Sequence, residues 1–432
     1  MHFSERGYLL IGLIALLAIA GLWSGDPMLA RLWLLPSFAL LAGLAWESFA
    51  TGRLHIEARL IAPRRLYLGR ATAAALQFVN PVARQLQLEF APATPPGFAP
   101  LGEPRRVSLP ATAATDFPLQ ITAERLGQRR WPPLPARLLG RFALAWWSRE
   151  LTPLYEAEVA PDTLQRSRLR VRGSSAGLRS RRVAGAGSEL YQLRRYVAGD
   201  PLSRVDWKIS ARSGQMITRE FSEDQHLDVM VAIDAGRLSR VRAGSLDRFG
   251  LFANIAARFA EAAVLRDDRI GLLVYAEQTL ALCPPERGAA AVIRIREQLA
   301  RLVPVGAESD PLAAATQLRA TLKHRSLVVL LSDLEDASLG TQLARAVRLL
   351  SPPHLALVAG VRSAELAALA MRPAVGWRDA WTSLAALEQE SRTDGQIRVL
   401  RQAGTPVVAT REAQLEEAVL NQYVALRRRR RI

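Results

Sequence analysis

Three sets of residues in this 432-residue chain have types and spacings that could do chemistry. The first is Ser175 in GSSAG (Gly173–Gly177), a formal match to the G-x-S-x-G nucleophile elbow. An elbow needs a buried strand before the serine, a helix behind it, and Asp and His partners downstream. Arg-rich polar sequence flanks GSSAG on both sides, which makes acyl transfer at Ser175 the least favoured reading. The second set is Asp234 and Asp333, which close the apolar runs LDVMVAID and SLVVLLSD. Carboxylates at the C-terminal ends of buried parallel strands face the crevice where doubly wound sheets take ligands. The third set lies between Arg194 and Glu223. There Arg194, Arg195, Arg204, Lys208 and Arg212 meet Asp200, Asp206, Glu220 and Glu223, with Tyr196 and Trp207 among them. So many opposite charges in a short span read as a charge-paired clasp that docks a linker on the next domain, rather than as an active site. Tyr196 and Trp207 are expected to stack under guanidinium groups. Asp200 followed by Pro201 predicts a helix start, with Leu202–Trp207 turning Leu202 and Val205 inward.

Other chemistries find no support. There is no G-x-x-x-x-G-K-[ST] phosphate loop, no H-E-x-x-H, and the five histidines are scattered. GAG at Gly185–Gly187 is not a full dinucleotide fingerprint and follows no strand. The single Cys283 excludes an intrachain disulfide and a cysteine zinc cluster. The net charge of +17 is almost all arginine, the only lysines being Lys208 and Lys323. In a chain rich in Ala, Arg, Leu and Gly, that charge points to an anionic membrane face or an acidic partner rather than to nucleic acid. No small-molecule substrate is implied.

The elements that must position these residues are legible as segments. Residues 7–23 and 28–50 are apolar runs of membrane-spanning length, joined by SGDP, and 1–53 reads as a transmembrane hairpin. Arg31 and Glu47 lie near the ends of the second run, where they can snorkel. Trp23, Trp33 and Trp46 sit near the expected interfaces. Arg6 before the hairpin and Arg53, Arg59, Arg64 and Arg65 after it place both ends, and all that follows, in the cytoplasm of a multi-pass inner-membrane protein. Residues 54–162 carry alternating runs (LHIEARL, AALQFVN, QLQLEFA, FPLQITA, RFALAWW) between Pro-rich turns, and predict a small antiparallel β-sandwich with a spacer role. A basic linker and the clasp occupy 163–225. Alternating strands and helices over 226–420 predict a doubly wound parallel α/β sheet. A basic tail, 421–432, ends in RRRRR (Arg427–Arg431) and suits a lipid-facing or merely solvated role.

The string ELYQLRRYVAGDPLSRVDWKISAR, followed by REFSE, resembles the motif of the bacterial domain of unknown function 58 family. Glu189, Leu193, Arg194, Tyr196, Gly199, Asp200, Arg204, Asp206, Trp207, Ala211, Arg212, Arg219 and Glu220 stand at matching positions, with Val205 where Ile is common. The resemblance extends to the membrane hairpin, the β section and the C-terminal domain. It implies a membrane-side partner of a MoxR-type AAA+ ATPase. The C-terminal domain is similar to the von Willebrand factor type A fold, whose adhesion site binds Mg²⁺ through D-x-S-x-S, a Thr and a later Asp. Asp234 and Asp333 match the two aspartates; Gly236 and Leu238 replace the serines, with Ser239 one step away, and Ser309 and Asp310 lie near the Thr position. The site is therefore degraded, and the aspartates are expected either to retain Mg²⁺ or to cap helices and pair with arginines. Three functions follow, in decreasing order: a non-enzymatic, membrane-anchored interaction protein serving an AAA+ ATPase in envelope-related assembly, a metal-assisted protein-binding receptor domain, and a hydrolase at Ser175.

Overall fold

A computed structural model of the chain describes residues 1–24, 28–162, 184–185, 189–222, 226–373 and 375–428. The chain divides into two compact units, Met1–Asp162 with Leu299–Leu302, and Thr163–Gln298 with Val303–Ile432. Ser175 and most of the basic linker lie outside the described residues, as does Glu223.

The first unit opens with β1 (His2–Phe3), α1 (Glu5–Ser24) and α2 (Leu34–Gly52). Both helices are long and apolar enough to cross a membrane, and large apolar side chains such as Leu9, Leu22, Leu35 and Phe38 are exposed along them. The second starts at Leu34 rather than at residue 28, and Leu29–Arg31 forms a separate 3-10 turn. Pro36 explains the difference. It lacks an N–H and is tolerated in the first turn of α2, whereas a helix begun at residue 28 would hold it in the interior.

Ten strands follow: β2 (Glu57–Ile61), β3 (Arg65–Tyr67), β4 (Ala71–Val79), β5 (Leu86–Phe90), β6 (Arg105–Leu109), β7 (Ala114–Thr122), β8 (Gly127–Arg130), β9 (Leu134–Leu139), β10 (Ala145–Leu151) and β11 (Glu156–Ala160). They form sheets ordered β1-β10-β9-β5-β6, β2-β4-β7 and β3-β11-β8. All pairings are antiparallel except β3 with β11. Alternate side chains turn inward, and Phe78 and Phe90 meet at a centroid separation of 4.9 Å, with Phe117 edge-on to Phe90 at 5.3 Å. The run RFALAWW is a strand only from Ala145, because Glu47 draws its first half into a turn. Glu47 does not snorkel. It is fully buried, and its carboxylate accepts from Phe142 N at 2.6 Å, Leu144 N at 3.4 Å and Trp147 Nε1 at 3.4 Å. β1 pairs with β10 as well, so the start of α1 and the end of α2 are both tied to the 140–147 turn.

In the second unit β12 (Ala184–Gly185), β13 (Glu189–Arg195) and β14 (Ile217–Ser222) make a small antiparallel sheet, with α3 (Trp207–Ser213) between the last two. The α/β fold then runs β15 (Asp228–Asp234), β16 (Arg242–Ala243), β17 (Leu246–Asp247), α4 (Arg248–Val264), β18 (Arg269–Tyr275), β19 (Thr279–Glu286), α5 (Ala289–Arg301), α6 (Pro311–Thr321), β20 (Ser326–Leu331), α7 (Ala337–Leu350), β21 (Leu355–Val361), α8 (Ala364–Ala370), α9 (Trp377–Gln402), β22 (Val407–Thr410) and α10 (Glu412–Arg428).

The large sheet has the order β19-β18-β15-β20-β21-β22, parallel except for the edge strand β19. Order reverses on either side of β15, which makes the sheet doubly wound and sets a switch point between β15 and β20. Strands β15, β18, β20 and β21 are buried almost throughout, as continuous apolar runs require. Met230, Ala232, Val328 and Leu330 pack against α6, α7 and α9 on one face. Helices α4 and α10 pack together and against the sheet strands through residues such as Phe252, Phe259 and Leu420. The segment assigned to a basic tail begins inside α10. Tyr423 and Leu426 are buried, Tyr423 Oη bonds to buried Asp268, and Arg427 pairs with Asp268 at 3.0 Å. Burial, reinforced by the Asp268 charge, pushes the Tyr423 phenol up.

Candidate functional site: the strand-end rim and the clasp

The N-termini around the rim are set by aspartates. Asp247 caps α4, Asp310 caps α6 ahead of Pro311, and Asp336 caps α7, each accepting backbone N–H bonds of the first turn. These caps hold the loops in which the rim side chains meet. Asp234 ends β15 with no exposed surface. Its Oδ1 accepts from Gly236 N at 2.9 Å and from the Ser309 hydroxyl, and its Oδ2 accepts from Ser332 Oγ at 2.7 Å. Ser239 donates mainly to the Asp234 backbone carbonyl at 2.6 Å, its approach to the carboxylate being a long 3.4 Å. A side chain at Gly236 would collide with Ser309 Oγ. The hydroxyl missing from position 236 is thus supplied from a loop more than seventy residues away. Tyr275 pairs with Asp234 across β15 and β18, and burial with the Asp234 charge raises its phenol pKa well above the usual value.

Asp333, one residue past Ser332, is also buried. One oxygen accepts from Glu335 N at 2.8 Å, and the other is bound by the guanidinium of Arg248. Arg248 reaches Glu335 with its second terminal nitrogen and is itself only 5% exposed. Glu335 in turn accepts from Ser363 N at 2.9 Å, and its backbone carbonyl takes Gln389 Nε2, so the network joins the loops after β20 and β21 to α9. Burial pushes the Asp333 carboxyl up despite the opposing pull of Arg248.

Sequence reasoning found Asp234, Asp333 and Ser309 but missed Arg248, Glu335 and Ser332. One signal was available: a cation in the first turn of α4 opposes the helix dipole, so Arg248 needs a strong partner elsewhere.

The Mg²⁺ implied by the resemblance can be tested against these residues. The hydroxyls around Asp234 have suitable chemistry, but Asp333 is committed to a guanidinium, and a divalent ion between the two aspartates would face that fixed positive charge. Among the described residues no group of three or more His, Cys, Asp or Glu side chains is placed to hold a metal. The site fits Arg248, not a divalent cation. Titrating millimolar Mg²⁺ or Mn²⁺ into the detergent-solubilised full chain is therefore expected to release no binding heat. A heat that vanished in Asp234→Asn would overturn this assignment.

The clasp is built on β13 and β14, with Arg194 opposite Thr218. Arg194 makes a two-pronged contact with Asp200, at 2.8 and 2.7 Å, and its Nε binds Glu220. Asp200 also accepts from Val197 N at 3.0 Å, which closes a turn whose Gly199 has a φ of 110° that favours glycine. Gln192 donates to Glu220 at 2.7 Å. Gln192 and Arg194 hold the Glu220 carboxyl below its ordinary value, and Arg194 does the same for Asp200.

A 3-10 turn follows Asp200-Pro201 at Leu202–Arg204, but Asp200 does not cap it, because its carboxylate is spent on Arg194 and Val197 N. The helix start is Asp206, whose Oδ1 accepts from Ile209 N at 3.1 Å. Arg219 lies 3.7 Å from Asp206. Val205 is buried as expected, but Leu202 is exposed. Neither Tyr196 nor Trp207 lies under a guanidinium; among the described residues those contacts fall elsewhere, as at Arg53 over Phe49. Arg204 and Arg212 make no ion pair among the described residues, and Glu189 enters β13 opposite Ser222.

These features define a doubly wound α/β unit that carries a charge-paired β-hairpin at its N-terminal side. Residues 192–385 match the family model described as protein of unknown function DUF58. Uncharacterized proteins of Mycobacterium tuberculosis and Mycobacterium bovis are 24% identical over 153 residues, which cover 35% of this chain and 48% of theirs. The chain thus spans about half the length of the curated relatives it matches. Among solved structures, the conserved hypothetical protein BatB of Bacteroides thetaiotaomicron aligns with a TM-score of 0.31 and 11% identity, covering 47% of this chain and 99% of that one. An uncharacterized membrane-spanning protein of Vibrio fischeri aligns with a TM-score of 0.19 and 18% identity, covering 46% and 98%.

Proposed function

We propose that this protein is a membrane-anchored, non-enzymatic interaction protein that presents its α/β unit to a cytoplasmic partner. The observation that carries this reading is Arg248 seated between Asp333 and Glu335. At the switch point, where such a sheet would do chemistry, the carboxylates are consumed in an internal network that locks loops together. A rigid scaffold follows from that arrangement more naturally than a reacting site.

Two apolar helices with exposed side chains, and the ties from β1 and Glu47 to one turn, support a two-span hairpin whose ends share a side. Arginines on that side argue for the cytoplasm of the inner membrane. In this reading residues 54–162 are a sandwich-like spacer, and the α/β unit is von Willebrand factor A-like in its strand order. Its partner is a MoxR-type AAA+ ATPase acting in envelope-related assembly, on the family resemblance alone. The receptor reading with Mg²⁺ at the rim is supported by the hydroxyls around Asp234 and opposed by Arg248.

The test is affinity purification of the tagged full-length protein from gently solubilised membranes, with and without ATP. Nucleotide-dependent recovery of an AAA+ ATPase is the expected result. Recovery of the protein alone in both conditions would overturn the adaptor assignment.

A further inference from the structure

We propose that the outer face of the clasp, rather than its internally paired charges, is the binding surface, and that it takes an acidic polypeptide segment bearing apolar anchors. The inference deepens the interaction reading above and rests on it only for the identity of the partner. Motif residues Arg194, Asp200, Asp206 and Glu220 are turned on one another or on backbone N–H groups, and their charge is neutralised within the hairpin. The neighbouring cations are not. Arg195, Lys208 and Arg212 are exposed and make no ion pair among the described residues, while the described carboxylates of the hairpin are already engaged.

These cations converge. Arg195 pairs with Ile217, whose carbonyl accepts Asp206 N, so the end of β13 meets the start of α3. Lys208 and Arg212 are four apart on α3 and share a face. In the same hairpin Trp207 is 63% exposed, and Val197 and Leu202 are 60% and 59% exposed. A tryptophan and aliphatic side chains held on a rigid hairpin and bracketed by unpaired cations are the makings of interface anchors, each able to fill a pocket while the cations take carboxylates. A lipid surface would call for a continuous apolar band; here Lys208 follows Trp207 directly, and Arg195 and Arg204 stand two positions from Val197 and Leu202 in the chain, which favours an acidic protein segment.

The experiment uses the full chain in neutral-lipid nanodiscs and two fluorescent helical peptides, one alternating Glu and Leu pairs and one with Lys in place of Glu. Anisotropy is expected to give at least tenfold tighter binding of the acidic peptide, weakened by raising salt from 50 to 500 mM, in line with screening. Lys208→Glu with Arg212→Glu is expected to abolish that preference, and Trp207→Ala to weaken binding about tenfold. All three positions are exposed, so far-ultraviolet circular dichroism should stay unchanged. Equal binding of both peptides, or indifference to the charge reversal, would overturn the proposal. So would charge-dependent binding to phosphatidylglycerol vesicles by the nanodisc-held chain without binding to the acidic peptide. Acidic-peptide binding that follows the variants, with no ATPase recovered from membranes, would uphold this surface and remove only the ATPase as its partner.

Discussion

Arg248→Met is expected to lower the stability of the α/β unit by about 3–5 kcal/mol, the usual consequence of removing one partner from a buried ion pair. The methionine fills much of the space, so the loss is electrostatic: Asp333 and Glu335 would face one another without a counter-ion in a nearly dry rim. Asp333→Asn should cost less, about 1–2 kcal/mol, because the amide oxygen can still accept Glu335 N and Arg248 keeps Glu335. The pH dependence has a definite sign. Burial already holds the Asp333 carboxyl above its ordinary value, and losing Arg248 would raise it further. A carboxyl raised in the folded state favours folding when protonated, and that contribution is lost as pH rises through the folded value. The deficit of Arg248→Met should therefore shrink as pH falls from 8 toward 5. Urea unfolding of the solubilised full chain, followed in the wild type and both variants at several pH values, measures all of this. Equal losses in the two variants would mean that Arg248 is not the centre of the rim.

Glu47→Leu is the second large effect. Its carboxylate serves Phe142 N and, at longer range, Leu144 N and the Trp147 indole N–H in a site with no exposed surface. Leucine would take the acceptor from those buried and half-buried donors, a loss of about 2–4 kcal/mol for the β unit, whereas Glu47→Gln keeps one acceptor oxygen and should cost about half as much. Gly140 provides an independent check. A Cβ there would strike the Glu47 carboxylate, so Gly140→Ala should destabilise the wild type and cost much less once Glu47 is shortened to Ala. This double-mutant cycle, read by the Trp fluorescence transition on unfolding, should give a coupling of about 1–3 kcal/mol. Additive effects would show that the two positions do not meet.

Much of the architecture was legible because it is written in short-range signals. Continuous apolar runs marked β15, β18, β20 and β21, and the two long apolar segments marked α1 and α2. At Asp310-Pro311 a local rule holds in the structure, the Asp310 carboxylate capping α6 and Pro311 presetting its first turn. After Asp200-Pro201 only a short 3-10 turn forms, without a cap from Asp200, because Arg194, six residues upstream, competes for the carboxylate, and Asp206 starts α3. The antiparallel edge strand β19 and the helix α10 carry weaker signals. Their residues become ordered by pairing with β18 and by packing against β22, β21 and α4.

The sequence by itself determined the apolar hairpin, the alternation that makes an α/β sheet, and the aspartates at its strand ends. Periodicity and local capping depend on neighbours within a few residues, and those are always visible in a linear string. Only the tertiary structure decided what the aspartates do. Ser309 reaches Asp234 from 75 positions away, Arg248 reaches Asp333 from 85, and Phe142 reaches Glu47 from 95. Such partners are chosen by where the sheet and loops bring side chains in space. A buried carboxylate must be met by whatever donor arrives there, because leaving it unmatched costs more than most of the local preferences that place it.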